Sequence, residues 1–262
     1  MVNLKEITDF IETSFPVSYA EDFDNVGLLA GRSQKNISKV LLCLDFGKEV
    51  CEEAVRLGAE LIITHHPVIF SPIKSINDLS VSSEALLYAI ENGISVYSAH
   101  TNLDSANGGL TDYVAKKLSL TPTGTLEGNL GRLCIAKEGA TSKELINAIK
   151  KEFKVKKLYS TLKENKPIKT VALCNGGGGG ELVNISLKLG ADIYISGDLK
   201  HHEILEIARS RKTDYIEIRH HDCEIIATEL LKETLDKNFE GKLEAAISSC
   251  DTSPLIDTDD LV

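Results

Sequence analysis

Two histidines stand side by side at His65 and His66, directly after the apolar run Leu61-Ile62-Ile63-Thr64 and directly before Pro67. A run of that kind reads as a buried strand, and the proline forces the chain out of the sheet. Both imidazoles therefore fall at the carboxyl end of a strand, the edge where open α/β sheets keep their sites. Neighbouring strand residues point to opposite faces, so two adjacent histidines reach two metals only where the strand breaks into a loop. Two further pairs strengthen a metal reading: His100 with Asp104 and His220 with Glu224, each a histidine followed four residues later by a carboxylate. On one helical turn that spacing puts both side chains on one face, as a bidentate metal grip requires. Imidazole nitrogen and carboxylate oxygen without thiolates suit Zn, Mn, Fe, Co or Ni better than a structural zinc. A carboxylate bridging two ions roughly 3.5–4 Å apart is the arrangement of two-metal hydrolases. The plainer alternative is that these polar residues cap helices after strands.

The elements that must position these groups alternate along the chain. Strand-like runs cover Val40 to Leu44, Leu61 to Thr64, Ser95 to Ala99, Thr170 to Cys174, Ile193 to Ser196 and Tyr215 to Ile218. Helical patterns cover Lys48 to Leu57, Ser83 to Asn92, Glu181 to Leu189 and His202 to Ser210. Such an order argues for α/β layers with mixed, largely parallel sheets. The halves also resemble each other: the stretch from Val40 runs in step with the stretch from Val171, pairing Cys43 with Cys174 and Gly58 with Gly190. Two similar α/β lobes facing each other follow from that repeat. The Gly-, Pro- and Thr-rich segment Thr121 to Gly131 reads as the linker, giving a first lobe over residues 1–125 and a second over 126–262. The tail from Ser248 to Val262 has a strand-like start, a proline turn and an acidic end, and can pack back on the first lobe.

Composition narrows the function classes. The 262 residues carry 39 acidic against 29 basic side chains, a net charge of -10, which disfavours binding to phosphate backbones. No stretch approaches the roughly 20 apolar residues of a membrane helix, and the start of the chain lacks a secretory pattern. The six cysteines are scattered with no C-x-x-C pair, as expected of reduced thiols in a soluble cytoplasmic protein.

Other residues admit two readings each. His100, His201 and His202 can orient ligands or donate a proton to a leaving group, or simply cap helices. The run Asn175 to Gly180 is either a tight turn or an anion cradle at a helix start. Asp24, Asn25 and Gly27 are cleft-lining residues or a turn before a strand.

The blocks EDFDNVGLLAG, LIITHHPVIF, VYSAHTNLDSANGG and SGDLKHHE, with the late His-x-x-x-Glu, resemble the Ngg-interacting-factor-like family, also known as GTP cyclohydrolase I type 2 homologues. The similarity runs from about Phe15 to the end, in the short form without an inserted domain. It implies a dinuclear metal site in the cleft between two lobes, and assembly as a toroidal homohexamer. It further implies that His65 binds one ion with His220, that His66 binds the other with Asp104, and that Glu224 bridges them. His100 and His202 fall in the family's blocks as candidate catalytic groups. Three departures stand out: Phe23 where many relatives have Trp, Glu217-Ile218-Arg219 where relatives show D-A-G, and His221 beside His220. The spacing to Glu224 favours His220 as the ligand. The expectation is a protein holding two divalent ions, acting as a hydrolase on GTP or on nucleotide and phosphoester substrates. The alternative is a non-enzymatic metal-binding regulator or scaffold working through protein partners.

Overall fold

The apolar runs fold as strands where the sequence places them in a computed structural model, which describes residues 1–255. In chain order the elements begin with β1 (Val2–Asn3), α1 (Leu4–Ser14), β2 (Gly27–Ala30), β3 (Asn36–Ile37), β4 (Lys39–Cys43), α2 (Lys48–Leu57), β5 (Leu61–Thr64), α3 (Val81–Glu91) and β6 (Ser95–Ser98). There follow α4 (Thr101–Ser105), α5 (Leu110–Lys117), β7 (Leu120–Gly124), β8 (Arg132–Ala136), α6 (Ser142–Glu152), β9 (Tyr159–Ser160) and β10 (Thr170–Gly177). Next come α7 (Glu181–Leu189), β11 (Ile193–Gly197), α8 (His201–Ser210), β12 (Asp214–Glu217), α9 (His220–Glu224), α10 (Ala227–Asn238) and β13 (Glu244–Ile247). Among the described residues no helix is long and apolar enough to cross a membrane.

Two compact units result: Met1–Asn102 together with the chain from Ala227 onward, and Leu103–Ile226. The first unit holds a sheet in the order β13-β4-β5-β6-β2. Its first four strands are parallel and β2 runs antiparallel to β6. Apolar side chains of β4, β5 and β6 pack with Val50, Cys51, Ala54 and Ala89 of α2 and α3 into a buried core. The second unit holds a sheet in the order β7-β8-β10-β11-β12-β9, with β10, β11 and β12 parallel and the flanking strands antiparallel. Ala172, Cys174, Leu182, Val183, Tyr194, Ile207 and Tyr215 form its core.

The internal likeness seen in the sequence is architectural. Strand, helix, strand, helix and strand recur in the same order with a short helix following, from β4 to α4 and from β10 to α9. Gly58 and Gly190 end α2 and α7 in the left-handed conformation, with φ of +70° and +66°. Two residues later, Glu60 and Asp192 each fold back onto the start of the preceding strand. Ser38 and Lys39 donate backbone N–H groups to Glu60 Oε2 at 2.8 and 3.0 Å. Lys169 and Thr170 donate to Asp192 Oδ2 at 2.7 and 2.9 Å. Lys35 and Lys166 donate Nζ to the backbone carbonyls of Glu60 and Asp192 at 3.4 and 3.2 Å. Burial raises both carboxyls, but the backbone donors outweigh it and hold both below the ordinary range.

The units divide elsewhere than the sequence suggested. Thr121 to Gly131 lies inside the second unit, where β7 and β8 pair as a hairpin, so its turn residues serve a strand connection and not a lobe boundary. Just before the tail, β13 extends the first unit's sheet in parallel beside β4, and Ser248 adds one further bond, from its N–H to the Leu42 carbonyl at 2.8 Å. The tail's acidic end, residues 256–262, lies outside the described residues.

In the second unit the hairpin carries one buried cation. Arg132 is 3% exposed, and all five of its N–H donors are used. Nε bonds Asp112 at 2.6 Å, Nη1 bonds the carbonyls of Asn129 and Gly131, and Nη2 bonds those of Ser105 and Ala106. The last two carbonyls close the helix that bears Asp104. Lysine offers a single ammonium that cannot span this fork. We expect Arg132→Lys to lower unfolding free energy by about 2–4 kcal/mol in urea titrations. For Glu60 and Asp192 the folded pKa is depressed, so their contribution is present above the ordinary carboxylate range and lost as pH falls through the depressed values. Replacing both with alanine should therefore flatten the acid limb of a thermal-stability profile below about pH 5.

Candidate metal centre

The first unit gathers three histidines. His65 and His66 leave the end of β5, where their backbone N–H groups still bond to Cys43 and Leu44 of the neighbouring strand at 3.1 and 3.0 Å. His100 follows β6. A ligand nitrogen from each of the three lies within 4.8 Å of the other two. Each ring is held through Nδ1: His65 to the carbonyl of Ala99 at 2.8 Å, His66 to Asp45 Oδ1 at 2.7 Å, and His100 to Asp24 Oδ1 at 2.9 Å. A carbonyl or an ionised carboxylate only accepts, so Nδ1 carries a proton, and in the neutral ring Nε2 carries the lone pair. That is the tautomer in which metal-ligating histidines are held.

Asp24 sits deep: its side chain is fully buried and also accepts from the Thr101 backbone N–H at 3.0 Å and from the Thr101 hydroxyl. Burial pushes its carboxyl up, but the hydrogen bonds from His100 and Thr101 and the charge of His100 bring it down to about 2. Asp24 is thus ionised throughout the neutral range. Asn25, beside it, donates to the carbonyl of Ile69 at 2.6 Å and shapes the loop. Gly27 begins β2 with φ +104°, a backbone role.

The second unit holds Asp104, His220 and Glu224. His220 and Glu224 lie on one turn of α9, with Nε2 and Oε2 2.9 Å apart, and Asp198 Oδ2 holds His220 Nδ1 at 2.8 Å. The hydrogen bond to Glu224 raises the imidazole; burial opposes this, while the Glu224 charge and Asp198 add to it, and the group settles at about 9. Asp198 reaches the ring from a left-handed backbone, φ +54°, which costs a non-glycine residue on the order of 1 kcal/mol. Asp104 is 9% exposed, and the Thr111 hydroxyl holds its backbone carbonyl at 3.0 Å. Burial pushes the Cys174 thiol well up, and the charges of Asp104 and Glu224 push it further. Cys43, Cys174 and Cys223 are buried thiols.

The glycine run explains itself here. β10 bulges between Leu173 and Gly177, and a Cβ on Gly176 would lie 2.1 Å from Glu224 Oε1 and 3.1 Å from His220 Nε2. Only glycine leaves room for that pair. Of the two readings of this run, the tight turn prevails. At the start of α7 the Gly180 N–H is already taken by Glu203 Oε1 at 2.5 Å, so a protein carboxylate stands where a bound anion was the alternative.

The remaining sequence candidates separate. His100 precedes α4, which begins at Thr101, so its ring is not on that helix's face and turns to Asp24 instead. His201 and His202 are exposed on the first turn of α8, and Lys200 donates its backbone N–H to Glu203. Arg219, whose charge beside a cation site was unexpected, forks onto Asp222 at 2.6 and 3.2 Å. The half-buried His221 has its Nδ1 3.6 Å from Asp222, whereas His220 meets Glu224. Phe23 is 64% exposed and tilts against the exposed Phe70 with ring centroids 6.2 Å apart, so it is no core substitute for a tryptophan. Sequence reasoning missed Asp45 and Asp198. Asp45 stands two residues beyond β4, and Asp198 directly follows β11.

A raised imidazole contributes stability that is fully present below its unfolded pKa and lost as pH rises through the folded value. In metal-free protein we expect His220 to titrate near pH 9 by NMR, and Glu224→Gln to bring it down towards the ordinary range. A midpoint unchanged by that substitution would contradict the assigned cause.

The comparisons with known proteins converge. A family model described as Duf34/NIF3 (NGG1p interacting factor 3) matches residues 2–254. A Clostridium perfringens protein named GTP cyclohydrolase 1 type 2 homolog is 37% identical over 251 residues, covering 91% of this chain and 95% of its own. NIF3-like protein 1 of Drosophila melanogaster is 30% identical, covering 97% and 88%. Among solved structures, reduced HcgD from Methanocaldococcus jannaschii is 30% identical with a TM-score of 0.84, covering 95% and 98%. A Staphylococcus aureus hypothetical protein shares the fold with a TM-score of 0.88 at 23% identity, covering 98% and 99%. With its paired-histidine strand end and its late histidine–glutamate turn, the chain belongs to the DUF34/NIF3 family.

Proposed function

We propose that His65, His66, Asp104, His220 and Glu224 together hold two divalent metal ions, and that the protein is a metal-dependent hydrolase. The observation that carries this reading is the shared ring orientation: His65, His66 and His220 each give Nδ1 to an oxygen, which leaves Nε2 as the nitrogen for a metal. Gly176 adds a second support, since its missing side chain leaves the space at Glu224 and His220. The donor set of imidazoles and carboxylates suits Zn, Mn, Fe, Co or Ni. In this reading His65 and His220 serve one ion, His66 and Asp104 the other, and Glu224 both.

Two such ions supply Lewis-acid chemistry, polarising a substrate oxygen and making water acidic enough to attack at neutral pH. The chain's own residues do the rest. Ionised Asp24 fixes the His100 ring through Nδ1, so His100 is aimed to pass a proton at Nε2 to a departing group. His202, exposed at the first turn of α8, is the second candidate for proton transfer. The name carried by the Clostridium perfringens relative points to GTP and hydrolytic opening of its purine ring, with nucleotide phosphoesters as the neighbouring class.

A scaffold role through protein partners is the second reading, and exposed apolar side chains favour it. Phe23, Phe70, Leu79 and Val81 are 64%, 52%, 86% and 83% exposed. We assign this surface first to self-association into a homohexamer in the cytoplasm, to be checked by light scattering.

Metal analysis after gentle purification tests the centre. Wild type is expected to carry or take up two equivalents of Zn or Mn, with His65→Ala and Glu224→Ala each losing at least one. Protein loaded with either metal is then assayed on GTP and on nucleotide phosphoesters beside Glu224→Gln. Turnover lowered at least 100-fold in that variant supports the hydrolase, whereas equal rates exclude it. His100→Ala and Asp24→Asn should lower kcat by about 10²-fold while leaving metal content unchanged.

A further inference from the structure

Near its last described residues the chain meets an aspartate that holds a histidine. Beyond β13 the ladder continues for one step, with Ser248 N–H bonding the Leu42 carbonyl at 2.8 Å. The next residues converge on Glu53, a carboxylate of α2 that is only 5% exposed. Ser249 gives its N–H to both oxygens at 3.1 Å and its hydroxyl to Oε1 at 2.5 Å, and Cys250 Sγ lies 3.5 Å from Oε2. Those bonds fix the path of the segment over α2. Two residues further, the Thr252 hydroxyl donates to Asp45 Oδ2 at 3.1 Å. The other oxygen of the same carboxylate receives Nδ1 of His66 at 2.7 Å.

A carboxylate held at one oxygen can rotate about its Cβ–Cγ bond, and one held at both cannot. Asp45 stands in the loop after β4 with its side chain 39% exposed, so solvent competes for it. Thr252 supplies the second point of attachment. We propose that Thr252 is a positioning residue for the metal ligand His66, and that the segment Ser248 to Thr252 is the strap that brings it there. This inference rests on the metal-centre reading above. The same geometry makes the strap act on His66 and not on His65, whose Nδ1 is held by the Ala99 backbone carbonyl.

The test uses full-length protein and four variants: Thr252→Val, which keeps the shape and removes the hydroxyl, Thr252→Ser, which keeps the hydroxyl, Asp45→Asn, and the double variant Asp45→Asn/Thr252→Val. Stepwise Co(II) titration followed by visible absorption gives an affinity for each ion. Thr252→Val should weaken one of the two ions by about 3- to 10-fold and leave the other unchanged. Thr252→Ser should restore wild-type affinity, and Thr252→Val should add nothing in the Asp45→Asn background. In metal-free protein, long-range ¹H–¹⁵N spectra should show His66 passing from a single Nδ1–H tautomer in wild type to a mixture in Thr252→Val. Wild-type binding of two ions with equal affinities and unchanged tautomer in Thr252→Val would overturn the strap and leave the metal centre standing. If wild type takes up no Co(II), the metal centre falls and the strap with it.

Discussion

An imidazole has two nitrogens and, when neutral, one proton, so fixing that proton decides what the other nitrogen can do. Every histidine assigned to the candidate centre has the matter decided at Nδ1, by the Ala99 carbonyl or by Asp24, Asp45 and Asp198. The rest of the architecture follows from the need to keep those acceptors in place. Strand ends set the backbone of His65, His66 and His100, and loops after strands carry Asp45 and Asp198. A ring held this way also loses little rotational freedom on meeting a ligand, which is what preorganisation means at such a site.

The repeat explains how one sequence delivers such groups twice. A parallel strand–helix–strand–helix–strand module puts its strand ends on a single edge. Both copies use a left-handed glycine after the first helix, and both use an acidic residue two positions on to fasten the start of the preceding strand. The copies diverge at the outside: β13 extends one sheet in parallel, whereas β7 and β8 extend the other as an antiparallel hairpin. Function has diverged along with them. One copy presents adjacent histidines after its middle strand, and the other presents Asp198 at that place to steer a histidine arriving from α9.

How much of this could be read from the sequence depends on whether the signal was local. The parallel strands were legible because short β-branched runs alternate with amphipathic helices, and their observed limits differ by only a few residues. His65 and His66 were legible from the proline that follows them, and His220 with Glu224 from four-residue spacing. The parallel with His100 and Asp104 misled, because the helix begins one residue too late to carry His100. Asp45 and Asp198 were not legible: an aspartate after a strand is ordinary until a ring 21 or 22 residues away turns towards it. The unit boundary was hidden for the opposite reason. Turn-forming residues mark any reversal of the chain, and a hairpin has the same composition as a linker.

The first unit is discontinuous in sequence while the second is not, and this ordering has a consequence for synthesis. A chain emerging from the ribosome presents Leu103–Ile226 complete while the sheet of the first unit still lacks β13 at its edge. Contacts between segments that distant in sequence form late, because the intervening chain must first be closed into a loop. Until β13 and the residues up to Thr252 have emerged, β4 has an open edge and Asp45 has one attachment fewer. Commitment of His66 therefore waits on a segment made after the whole second unit, and a ribosome stalled in α10 would hold a second unit able to fold before the first is competent.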